Sequence, residues 1–125
     1  MKPPPVSRSV FLNVPFDAAY RPLFEAMIFT VFDCGYFACC SLEAQDSGHI
    51  RIQKIVGIIS RCEFGIHDIS RTELDAATGL PRFNMPFELG VFLGAKWLGT
   101  RQQRSKNCLI LDRERYRYQE FLSDI

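Results

Sequence analysis

The sequence predicts one α/β domain, a three-layer sandwich with a parallel sheet in strand order 2-1-3-4. Three observations carry that expectation. Short apolar runs, the pattern of strands covered on both faces, recur at 10–14, 64–69 and 108–112. The segments between them repeat apolar residues at helical spacing. Strand and helix alternating at these lengths call for parallel pairing through right-handed crossovers, which favours that order.

Each element has a local reason. Residues 1–7, with Pro3, Pro4 and Pro5, read as a flexible Pro-rich lead-in, and the single domain spans 8–125. Val10-Phe11-Leu12-Asn13-Val14 is the first strand, ended by Pro15-Phe16-Asp17. A helix starting near Tyr20 to Pro22 puts Leu23, Phe24, Met27, Ile28, Val31 and Phe32 on one face, with Gly35 as its C-terminal stop. Residues 36–42, aromatic and small, form the second strand, and 43–48 form a polar loop. The stretch 51–62 is a helix with Ile52, Ile55, Val56 and Ile59 inward, and with Arg51 and Lys54 near its start. Residues 64–69 are the third strand, ending in the acid Asp68, and 70–83 form a loop of the length that lids and binding loops have.

The next segment organises the chain. Asn84 suits an N-cap and Pro86 suits the first turn of a helix running to Gly99. Gly90 and Gly94 share a stripe, which predicts a close approach to the sheet. Glu88 falls in or just after the first turn, where the helix dipole favours its ionised form. Residues 108–112 are the fourth strand, and 113–125 begin a polar, aromatic helix.

Composition narrows the function classes. With 125 residues, 47% hydrophobic and 23% charged, the chain is an ordinary globular domain. A net charge of +1 argues against a nucleic-acid surface. Five cysteines without metal-type spacing and only two histidines, His49 and His67, argue against a metal site and for reduced thiols in the cytoplasm. No apolar run is long enough to span a membrane, since Glu25 and Asp33 interrupt the one after Pro22.

In open parallel sheets a ligand sits beyond the carboxyl ends of the strands, where the winding reverses, here between strands 1 and 3. The first loop brings Asn13, Pro15, Phe16, Asp17 and Tyr20 there, and the third brings Asp68 and Ser70. Asn84 and Glu88 arrive at the start of the following helix. Two carboxylates, Asp68 and Glu88, over one crevice suit chemistry at a sugar. One stabilises or captures oxocarbenium-like charge, and the other positions a hydroxyl or manages a proton. His67, inside a strand, reads as a packing residue, and Asn13 needs partners that either the neighbouring loop or a ligand would supply.

These residues resemble the nucleoside 2-deoxyribosyltransferases and the TIR-like domains. Asn13-Val14-Pro15-Phe16 with Tyr20 looks like the opening of the transferases, and 58–70 like their helix, apolar strand and Asp. Pro86-Phe87-Glu88-Leu89-Gly90 resembles the Glu-Leu-Gly motif whose Glu is the nucleophile. The resemblance covers roughly 8–112. It implies a flavodoxin-like sandwich acting on an N-glycosidic bond, with Glu88 and Asp68 catalytic. Asn13, Pro15, Phe16, Asp17, Tyr20, Ser70 and Asn84 would bind substrate. NAD, a nucleotide or a (deoxy)nucleoside would be that substrate, no cofactor or metal being called for, and TIR-like relatives add a bacterial defence setting. A non-catalytic nucleotide-sensing or oligomerisation module is the alternative. Both groups normally add a fifth strand and a further helix, missing here, so the chain is either a fragment or a domain completed by a partner. Self-association through the strand 4 edge or the final helix, as a two-fold dimer, is therefore expected.

Overall fold

The computed structural model describes residues 2–43 and 50–125, so most of the polar loop expected over 43–48, and His49, lie outside the described residues. Strands β1 (Ser9–Asn13), β2 (Phe37–Cys39), β3 (Phe64–Asp68) and β4 (Asn107–Leu111) form one sheet in the order β2-β1-β3-β4. Every pairing is parallel, with Asn13 beside His67 and Asp68 beside Leu111. Helices α1 (Arg21–Asp33), α2 (Arg51–Ser60) and α3 (Asn84–Leu98) connect them. This is the flavodoxin-like α/β arrangement that the alternation predicts.

Side chains alternate across the strands and build two cores. On one face Phe11 packs with Ile55, Ile58 and Ile59 of α2, with Cys62 and with Phe92 of α3. On the other, Val10 and Leu12 pack with Val31 of α1 and with Cys40. Lys106 is buried in the first core. Its ammonium donates to the carbonyls of Ile59, at 2.6 Å, and Cys62, and it lies 4.9 Å from the Phe92 ring centre. It thus adds a charged donor to carbonyls at and just past the end of α2.

Several local expectations need correcting. Strand 2 is shorter than 36–42, and Val56 is exposed while Ile58 points inward. Leu23 and Phe32 of α1 are also exposed. The cap of α3 is Phe83, without a side-chain bond, and Asn84 is already helical. Gly90 and Gly94 face open space. The close approach is made by Gly65 in β3, where a Cβ would stand 2.6 Å from His67 Nε2 and 3.0 Å from the Phe92 ring. The final segment holds one 3-10 turn, Arg117–Glu120, entered through Tyr116 in the left-handed region at φ 65°. The lead-in joins the body by Pro5, whose carbonyl accepts from Arg8 N–H and the Ser9 hydroxyl. Among the described residues no helix is long and apolar enough to cross a membrane.

Candidate functional site

The carboxyl ends of β1 and β3 and the start of α3 meet where the winding reverses. Asn13, the last residue of β1, is buried and ties all three together. Its amide nitrogen donates to the Met85 carbonyl at 2.9 Å and lies 2.9 Å from His67 Nδ1. A donor facing Nδ1 makes that nitrogen the acceptor, so the ring proton sits on Nε2. His67 packs edge-on against Phe11 and Phe92, and burial drops its pKa to about 3, so it is neutral at any ordinary pH. Asn13 Oδ1 and His67 Nε2 are buried without a hydrogen-bond partner.

Asp68 ends β3 and is 4% exposed, held within the fold rather than reaching into open solvent. Its Oδ2 accepts the Tyr20 hydroxyl at 2.5 Å, and its Oδ1 accepts the Ser70 N–H at 2.9 Å. Burial and the bond to Asp68 push the Tyr20 phenol well above its usual pKa, so Tyr20 stays a neutral donor. Arg71, the next residue along the loop, stacks over the Tyr20 ring at 5.6 Å and forks onto Asp17. That fork, with the Tyr20 N–H, holds the Asp17 carboxyl below its ordinary range. The first and third loops are thereby joined by a chain running Asp17, Arg71, Tyr20, Asp68.

Glu88 is the fifth residue of α3 and is 5% exposed. Among the described residues no hydrogen bond reaches its carboxylate, and its one ion pair is with Arg51 at 3.9 Å from the start of α2. Burial raises its pKa, and Arg51 opposes the rise without cancelling it. The sequence led us to expect the helix dipole to favour the ionised form. Desolvation outweighs it, because Glu88 sits at the end of the first turn, where the dipole has largely decayed, and inside the fold.

A crevice of about 300 Å³ opens at this end of the sheet. Pro15, Phe16 and Met85 give it apolar walls, and Asp17, Arg71, Arg82 and Asn84 a polar rim. Phe16 is steadied edge-on by Phe24 at 5.4 Å. Thus Pro15, Phe16, Asp17 and Asn84 line the crevice. Asn13, Tyr20, Ser70, Asp68 and Glu88 do not line it. Arg71 and Arg51 are the residues that sequence reasoning left unassigned at the site. Arg51 was visible as a cation at a helix start, but nothing marks Arg71 apart from any solvated charge. The chain matches no protein-family model, and no curated protein resembles it closely enough to place it in a family.

Proposed function

We propose that the chain is a nucleotide N-glycosidase-like domain, of deoxyribosyltransferase or TIR-like type, that acts on NAD or a (deoxy)nucleoside. The observation that carries this reading is Glu88, a buried carboxylate that no hydrogen bond satisfies among the described residues. Burial without a hydrogen bond costs a carboxylate stability, and carboxylates kept in that state concentrate at reactive centres. In this reading the Glu88 oxygen stabilises C1′ of the sugar, or bonds to it, as the bond from C1′ to the base nitrogen breaks. The base leaves with the electron pair, nicotinamide as a neutral molecule and a nucleobase by taking up a proton from water, and water or a second base then displaces the carboxylate. Asp68, fixed by Tyr20 and Ser70, orients a ribose hydroxyl, and the crevice between Phe16 and Asn84 holds the base.

A second reading, a non-catalytic nucleotide-sensing module, is favoured by one observation: neither carboxylate lines the crevice. Incubation with NAD and with deoxynucleosides, followed by chromatography, separates the two. Products that vanish in a folded Glu88→Gln variant support the glycosidase. Turnover unchanged in that variant overturns it, and binding without turnover in the wild type selects the second reading.

A further inference from the structure

The glycosidase reading uses none of the five cysteines, yet the fold brings two of them together. Cys39 ends β2 and stands beside Phe11 in the parallel register. Paired residues in a sheet share a face, so Cys39 points to the side covered by α2 and α3. There it packs against the core that holds Phe11 and Cys62. Cys40, one residue on, packs in the opposite core with Val10 and Leu12. Cys62 lies two residues past the end of α2 and is fully buried, and its thiol is in hydrogen-bond contact with the Cys39 thiol. Both are thiols, with no disulfide between them.

Access to the two sulfurs differs. Cys39 is half-buried and lines a cavity of about 250 Å³ together with Pro3, Pro4, Ser9, Ile58 and Arg61. Cys62 lines no part of it. Buried cysteines are ordinarily inert small hydrophobes. What separates this pair is the contact of two sulfurs, one of which stands on a cavity.

We infer that Cys39 and Cys62 are a reversible oxidation site, at which a peroxide converts Cys39 to a sulfenic acid and Cys62 closes it to a disulfide. The Cys39 sulfur attacks one peroxide oxygen, the O–O bond breaks, and the departing hydroxide takes up the thiol proton as water. The Cys62 sulfur then attacks the Cys39 sulfur, the S–O bond breaks, and a second hydroxide leaves with the Cys62 proton as water. Two thiols lose two electrons in all, and one peroxide is reduced to two waters. The contact with Cys39, together with burial, holds the Cys62 thiol well above its usual pKa. Cys62 is thus the second sulfur to react rather than the first, and contact with its target offsets its poor thiolate character. Lys106, whose ammonium donates to the Cys62 carbonyl, supplies a positive charge nearby as that proton leaves. The bridge ties β2 to the end of α2, and a small thiol reductant reverses it by exchange.

The inference is independent of the proposed activity. It is tested on the whole chain by adding hydrogen peroxide in molar equivalence, blocking the remaining thiols, and mapping peptides without reductant. The wild-type monomer should become two hydrogens lighter, with the peptide carrying Cys62 joined to the one carrying Cys39, and dithiothreitol should restore it. Cys34→Ser, which removes an exposed competitor, and Cys40→Ser should keep the bridge, and Cys39→Ser should lose it. In Cys62→Ala, dimedone should trap a sulfenic acid on Cys39, and the wild-type map decides the matter should that variant fail to fold. A chain that keeps all its thiols, oxidation confined to Cys34, sulfinic acid at Cys39 without a bridge, or a bridge that persists in Cys39→Ser would overturn it.

Discussion

At the scale of the residue, Glu88 gives a stability prediction with a definite sign. Its native pKa is raised above the ordinary glutamate value, so the native state binds a proton more tightly than the unfolded chain. Stability is then highest below the ordinary value. It falls as pH rises toward the raised native value, where the buried group must ionise. Glu88→Gln keeps the shape without the charge. It should be more stable than the wild type at pH 7, by on the order of 1 kcal/mol. The difference should close near pH 4, where both forms are neutral, and thermal melting across that range reads it directly. A gain in stability paired with loss of turnover is the signature of a group kept for chemistry. Gly65 gives the opposite sign. A methyl there meets His67 and Phe92 in a filled core, so Gly65→Ala should cost about 1–3 kcal/mol in urea unfolding, whereas Gly94→Ala, facing open space, should not destabilise.

At the scale of the element, the loop between β3 and α3 holds itself together. Leu74 and Pro81 form an antiparallel bridge, and the Asp75 carboxylate accepts the N–H groups of Ala77 and Thr78 while pairing with Arg82. Those contacts hold the Asp75 pKa down, as the Arg71 fork does for Asp17. Both groups have native pKa values below their unfolded ones, so their contribution is present above about pH 4 and is lost as pH falls through the native values. The hydrogen-exchange protection factors of the 71–83 amides, corrected for the intrinsic rate, should therefore fall below pH 4, and at neutral pH in Asp17→Asn. Exchange unchanged in that variant would mean the fork does not hold the loop. The loop's existence was legible from its length and polarity, but its anchoring was not, because Asp17 and Arg71 are 54 residues apart. α3 was misjudged for a different reason. It is apolar almost all round, so periodicity could not tell which face is inward. Phe87 is 59% exposed, while Glu88 beside it is buried.

At the scale of the whole molecule, the strand order followed from apolar runs and crossover handedness alone. Those constraints are local or chiral, so they survive in one sequence. Contacts between distant polar side chains do not, and the end of the chain shows it. Residues 113–125 promise a helix by composition, yet they serve as a strap. The Arg117 guanidinium donates to Asp112 at 2.5 Å, to the Ser70 carbonyl at 2.8 Å and to the Thr72 hydroxyl at 3.0 Å. Asp112 is nearly enclosed at the end of β4, and Ser70 also gives its N–H to Asp68. The strap therefore reaches the candidate site through one residue, Ser70. Removing one partner of an enclosed pair leaves the other charge uncompensated, so Arg117→Ala should cost about 2–4 kcal/mol. That is a fall in melting temperature of roughly 3–6 °C per kcal/mol for a domain of this size. Arg104→Ala, on an exposed turn, should change little. The informative readout is hydrogen exchange. In Arg117→Ala the amides of 70–74 and of 117–122 should open together, because one guanidinium closes both. If the terminal segment opened while Ser70 and Thr72 stayed protected, the strap would be a local turn with no hold on the site.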